Sequence, residues 1–172
     1  MSLVSNLFLL FVAASVLVYY IVPHKFQWLV LLCFSYIYYL AGGVRYVGFL
    51  LFSTLITWLI ALAVEKTEAK GSHKGARNLL VLGLLLNFGM LGVVKYTNFA
   101  IENLNALFHM NLRGMEILLP LGISFYTFQS SGYLLDVYWK RCEAEKNPVK
   151  YALFVSFFPQ ILQGPIGRYS RL

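Results

Sequence analysis

The stretch "YVGFLLFSTLITWLIALAV", residues 46–64, contains no Asp, Glu, Lys or Arg over 19 consecutive positions. A helix needs about 20 predominantly apolar residues to cross a hydrocarbon core of about 30 Å, so this run predicts a transmembrane helix. The same pattern recurs on both sides of it. Residues Met1–His24, Phe26–Val44, Asn78–Val94, Ile117–Leu135 and Tyr151–Gly167 are equally free of those four residue types. Five of the six runs read as spanning helices. The last contains Pro159, Gly164, Pro165 and Gly167, which break a helix before it crosses. The expected fold class is therefore all-α: a multi-span transmembrane helical bundle of about five spans plus a broken or re-entrant C-terminal segment, in a single membrane domain over residues 1–172.

Composition agrees with that reading. Hydrophobic residues make up 59% of the 172 and charged residues 12%, against about 25% charged in a soluble domain. Residues 1–6 lack the basic region of a cleavable signal peptide, so the first span is expected to be retained. Cys33 lies inside a span and Cys142 in a charged connection. Their different depths argue against a disulfide framework or a thiolate metal site.

The charges set an orientation. The connection "EKTEAKGSHKGAR", Glu65–Arg77, is hydrophilic and holds Lys66, Lys70, Lys74 and Arg77. Placing it and Lys140–Lys150 in the cytoplasm puts the His24–Lys25 turn on the same side. It also puts Gly42–Arg45, Lys95–Glu116 and the N-terminus outside. Eleven of the 14 basic residues, Arg168 and Arg171 included, then face the cytoplasm, as the positive-inside rule requires. Aromatic residues near the span ends, such as Tyr19, Tyr20, Trp28, Tyr96 and Trp139, fit interfacial belts. The net charge of +7 reads as a topology signal with attraction for anionic lipid, and no nucleic-acid motif accompanies it.

Polar residues inside the runs mark where chemistry or packing is concentrated. In "ILLPLGISFYTFQSSGYLLDVYW", residues 117–139, Pro120 suits a first-turn position, and Phe125, Gln129, Gly132 and Asp136 recur on one helical face. That face cannot be turned to lipid. Gln129 is expected to hydrogen-bond across to another helix or to line an aqueous cavity, and Gly132 to admit a close neighbour. A packing seam with one polar clasp explains this face without any substrate. Gln160 and Gln163 bring two more side-chain amides to the Pro/Gly-rich end, where irregular backbone at membrane depth needs protein or water around it. Asn87 is expected to bond between helices, and Lys95 to snorkel toward headgroups. His24, His73 and His109 have no partners at catalytic or metal spacing, and no nucleotide loop, nucleophile motif or metal motif is present.

Two segments, "LPLGISFYTFQSSGYLLDVYWKR" and "FFPQILQGPIGRYSRL", resemble in order and spacing the paired signatures of the membrane-bound O-acyltransferase superfamily. "SNLFLLFVAASVLVYYIVP", "YYLAGGVRYVGFLLFSTLITWLIAL" and "LNFGMLGVVKYTNF" fit the same family's first half, so the resemblance covers nearly the whole chain. It is nearest to the alginate O-acetyltransferase branch, with the D-alanyl transfer proteins of teichoic acid beside it.

The resemblance implies an integral membrane enzyme of the bacterial cytoplasmic membrane. Such an enzyme transfers an acyl group, expected to be acetyl, from a cytoplasmic thioester donor (acetyl-CoA or an acyl carrier protein) to a hydroxyl of an extracytoplasmic polysaccharide or to an exported partner. No bound cofactor is implied. The family's embedded histidine belongs to a second half absent here, so no catalytic residue is assigned within this chain. Gln129, Asp136, Gln160, Gln163 and Arg168 are the substrate- or tunnel-lining candidates, Arg168 meeting an anionic donor or anchoring to headgroups. The chain is expected to be the N-terminal portion of a longer enzyme and inactive alone. A complete small non-catalytic membrane scaffold is the alternative, and a transporter ranks behind it because no internal repeat relates the spans.

Overall fold

The computed structural model describes residues 6–108 and 122–163. Seven α-helices are formed among them: α1 (Asn6–Ile21), α2 (Gln27–Gly42), α3 (Val44–Ala69), α4 (His73–Phe108), α5 (Ile123–Tyr138), α6 (Pro148–Ser156) and α7 (Phe158–Gln163). A short 3-10 turn, His24–Phe26, joins α1 to α2. The all-α expectation matches.

The expected spans differ in length. Two segments, Val47–Ala69 in α3 and His73–Thr97 in α4, are long and apolar enough to cross a membrane. Helices α1, α2 and α5 have 16 residues each, about 24 Å at 1.5 Å per residue and short of the hydrocarbon core. Local backbone chemistry sets these lengths. Pro23 follows α1, Gly43 ends α2 with φ 136°, and Gly122 in a left-handed conformation precedes α5. Fewer than half of the residues in either long segment are buried. Leu10, Leu85 and Val93 are each more than 60% exposed. A core helix of a water-soluble protein buries such residues; these face outward.

The connection expected at Glu65–Arg77 is mostly helical, because Glu, Lys and Ala favour helix and carry α3 beyond its apolar part. Only Lys70–Ser72 lies outside α3 and α4. The turn is a Schellman cap: Gly71 adopts φ 77°, its N–H bonds Glu68 O, and Ser72 N–H bonds Thr67 O. Helix α4 then continues past Lys95, which is exposed with its ammonium 5.6 Å from the Tyr96 ring centre.

Helix α5 sits at the centre, packed on α3, α4 and α6, while α1 lies against α2 at the periphery. Close approach between helices occurs at Gly83 of α4, where an added Cβ would lie 2.8 Å from Leu134 Cδ1 and 3.1 Å from Ile60 Cγ2. Among the described residues, a Cβ at Gly132 would meet nothing within 4 Å, contrary to the expectation for that glycine. Asn87 does clasp two helices. It accepts from Ser53 Oγ at 2.8 Å and donates to Thr57 Oγ1 at 2.9 Å and Gly83 O at 3.0 Å, all buried.

Candidate functional site

The run from Tyr151 breaks as expected, but earlier than its Gly/Pro cluster. Helix α6 begins at Pro148 behind an Asn147 cap whose side chain accepts from Val149 N–H, and it ends at Ser156. Phe157 leaves the helical conformation, and α7 restarts with Pro159 in its first turn, where a missing N–H costs nothing. An unbroken helix would join Phe154 O to Phe158 N–H. Here each group has a side-chain partner instead. Gln129 Nε2 donates to Phe154 O at 2.9 Å, and Phe158 N–H donates to Ser35 Oγ at 3.3 Å. The Ser35 hydroxyl in turn donates to Leu31 O at 2.7 Å.

Gln129 Nε2 also lies 3.2 Å from Gln160 Oε1, so two of the sequence-derived candidates meet at the break. Gln129 is 1% exposed. It forms the interhelical bond expected of it, not merely a polar spot on a seam. Asp136 is not part of this group. It shares the helical face but lies two turns away at the charged end of α5, 3.6 Å from Arg141 Nη1. Gln163 ends α7, and Arg168, Pro120 and His109 lie outside the described residues.

Around the break, Tyr39, Tyr126, Thr127, Ser130, Ser131 and Ser156 carry buried hydroxyls with no hydrogen-bond partner among the described residues, as does Gln129 Oε1. Buried polar atoms in native proteins are nearly always paired, with protein, water or ligand. Helix α5 is thus buried on almost every side, with Phe128 an outward exception at 47% exposure. Ser35 was missed by sequence reasoning. Its signal was the one serine midway along an otherwise apolar and aromatic helix.

At one end of the bundle the two charged connections meet. Trp58 Nε1 donates to Glu145 O at 2.7 Å, Ala144 N–H to Glu65 Oε1 at 2.9 Å, and Glu145 N–H to the Tyr133 hydroxyl at 2.8 Å. Glu68 Oε1 lies 2.6 Å from His73 Nδ1 and 3.4 Å from Lys140 Nζ. Burial, with Asp136 and Glu65 nearby, pushes the Cys142 thiol up to about 11, so it stays protonated and unreactive at neutral pH. Cys33 is exposed on α2, and both cysteines are free.

Outward apolar residues around an interior of amides and hydroxyls give this bundle the polarity of a membrane-embedded helical protein, with a helix broken inside it. By sequence, the chain is similar over nearly its whole length to membrane-bound O-acyltransferases named for cell-envelope polymers. It is 35% identical to the probable alginate O-acetylase AlgI of Azotobacter vinelandii over 98% of its own length and 34% of that protein's. It is 33% identical to a peptidoglycan O-acetyltransferase of Helicobacter pylori, over 84% of the chain and 31% of the relative. A teichoic acid D-alanyltransferase of Lacticaseibacillus rhamnosus is 28% identical over 75% of the chain and 28% of its own length. The chain spans about a third of the length of these relatives. No protein-family profile matches it, and no solved structure does.

Proposed function

We propose that this chain is the N-terminal portion of a membrane-bound O-acyltransferase. The whole enzyme passes an acyl group, acetyl as the alginate and peptidoglycan relatives are named, from a cytoplasmic thioester to a hydroxyl of an extracytoplasmic polysaccharide. The observation that carries this is the match to an alginate O-acetylase over 98% of the chain, with a peptidoglycan O-acetyltransferase matching 84% of it. In this reading α1, α2 and α5 cross the bilayer beside α3 and α4, tilting or thinning it to suit their length. The N-terminus lies outside, and residues 65–77 and 140–150 lie in the cytoplasm.

Within that enzyme, Gln129 and Ser35 hold open a helix break that gives the interior an irregular, polar lining. Irregular backbone at this depth is tolerated only inside protein or along an aqueous cavity. Gln160 meets Gln129 in this lining, Gln163 and Arg168 are assigned to the donor side from the resemblance alone, and Asp136 with Arg141 closes the charged end. In this reading the rest of the enzyme supplies the base, and the chain by itself is expected not to turn over. Proton transfer to or from the reacting hydroxyl depends on such a group being held within hydrogen-bond reach.

The experiment is a chimera in which this chain replaces the matching third of the Azotobacter vinelandii protein, expressed in cells lacking their own copy. Ester content of the alginate and membrane insertion of the chimera are both measured. Acetylated polymer supports the reading. An inserted, stable chimera that leaves alginate unacetylated, while a matched graft from another alginate O-acetylase restores it, overturns it in favour of a non-catalytic scaffold.

A further inference from the structure

We propose that the outer face of α4 next to the 70–72 turn is a binding site for a phospholipid with an anionic headgroup. Lys74, Arg77, Asn78, Val81, Leu82 and Leu85 line one cleft of about 640 Å³. Their spacing of three and four residues places them on a single helical stripe. The stripe is graded. Two cations and an amide stand at its upper end, and Val81, Leu82 and Leu85, 45%, 48% and 65% exposed, continue it below.

Lys74 and Arg77 are exposed and make no ion pair among the described residues, whereas the neighbouring His73 and Lys140 share Glu68. A charge-complementary occupant therefore brings one negative group to the head of the cleft and an apolar body to the rest. From Lys74 to Leu85 the helix rises about 16 Å, close to one leaflet's half of a 30 Å hydrocarbon core. An anionic phospholipid meets both demands at once. A free phosphate leaves the apolar part uncovered, and a zwitterionic lipid brings its phosphate with a compensating ammonium and so leaves the positive charge of the site without net neutralisation. The inference needs only that α4 crosses the bilayer, and it stands or falls separately from the transferase reading.

The test is native mass spectrometry of the full 172-residue chain released from detergent micelles, titrated with phosphatidylglycerol or with phosphatidylcholine of the same acyl chains. Retained phosphatidylglycerol adducts are expected in preference to phosphatidylcholine. Lys74→Gln with Arg77→Gln should weaken phosphatidylglycerol retention about 30-fold, from roughly a factor of five to six per cation. Lys146→Gln with Lys150→Gln, an equal charge change on exposed residues elsewhere, should leave it unchanged. The charge-keeping pair Lys74→Arg and Arg77→Lys should retain binding, which guards against loss through misfolding. Equal weakening by both Gln pairs, indifference to headgroup charge, displacement by glycerophosphate at lipid concentrations, or a chain-to-chain dimer in place of lipid adducts would each overturn the proposal.

Discussion

Replacing Gln129 with Leu tests how the helix break is held. The side chain keeps its approximate volume and burial, but the Nε2 donor to Phe154 O at 2.9 Å and to Gln160 Oε1 at 3.2 Å is lost. Interhelical hydrogen bonds measured inside membranes average about 0.6 kcal/mol and reach about 1.7. The shorter bond, to a backbone carbonyl released by the break, belongs near the upper figure, and the longer one near the average. The loss should total about 2 kcal/mol, or about a 30-fold rise in local opening of the segment from Phe154 to Gln160. Hydrogen–deuterium exchange of the chain in nanodiscs reads this directly at the amides of Phe157, Phe158 and Gln160. Ser35→Ala removes the acceptor for Phe158 N–H and should act on the same segment. Because both side chains hold one break, the double variant should cost less than the sum, with a coupling of at least about 0.5 kcal/mol. Unchanged exchange at Phe157, Phe158 and Gln160 in Gln129→Leu, or strict additivity with Ser35→Ala, would refute the idea that these two residues replace the missing helical bond.

Gly83→Val should destabilise by about 1–3 kcal/mol, because its branches would press on Leu134 and Ile60. Gly132→Ala should be neutral or gain up to about 1 kcal/mol through helix propensity, and thermal unfolding in detergent separates the two. Trp58→Phe keeps the ring but removes the donor to Glu145 O, costing about 0.5–1.5 kcal/mol, seen as faster proteolysis of residues 140–147. The raised Cys142 value means that its buried thiol form stabilises the fold below the ordinary thiol range and that this contribution fades as pH rises through about 11. Maleimide labelling at Cys142 should accordingly be slow at neutral pH and climb toward pH 11. Glu65→Gln, which removes a nearby negative charge, should shift that climb to lower pH; an unmoved profile counts against the stated cause.

Much of this organisation was legible in the charge-free runs, because excluding charge from lipid is the strongest constraint a membrane places on sequence. The interhelical roles of Gln129 and Asn87 followed from the same reasoning, since an amide among apolar residues needs a partner. Helix lengths did not follow. A run without charges marks apolar length, whereas Gly43 and Gly122 end helices through backbone conformation inside or beside such runs. Glu65–Ala69 shows the reverse, a helix extending into charged residues. The close approach at Gly83 and the break at Phe157 were hidden because each depends on what a distant element presents. For Gly83 that is Leu134 and Ile60, and for Phe157 it is Gln129 and Ser35.

The depth of the break can be reached along three separate helices, and the three agree. From the connection pinned by Trp58, Glu65 and Tyr133, α6 rises through the nine residues Pro148–Ser156, about 13 Å. Gln129 stands nine positions before Tyr138 at the end of α5, again about 13 Å. Ser35 stands eight positions after the start of α2 at Gln27, about 12 Å. Each distance is a little under half of a 30 Å hydrocarbon core. Three helices with unrelated local sequences bring a carbonyl, an amide and a hydroxyl together at the break, and in the proposed reading, where all three cross the bilayer, the break lies near the midplane. It also requires α2 to start at the same end as the 139–147 connection, as the charge pattern demands of Lys25 and Lys140–Lys150. In that reading the break divides the membrane thickness into two roughly equal halves. In the acyltransferase reading, that is where a donor entering from one side and an acceptor from the other have equal distances to travel.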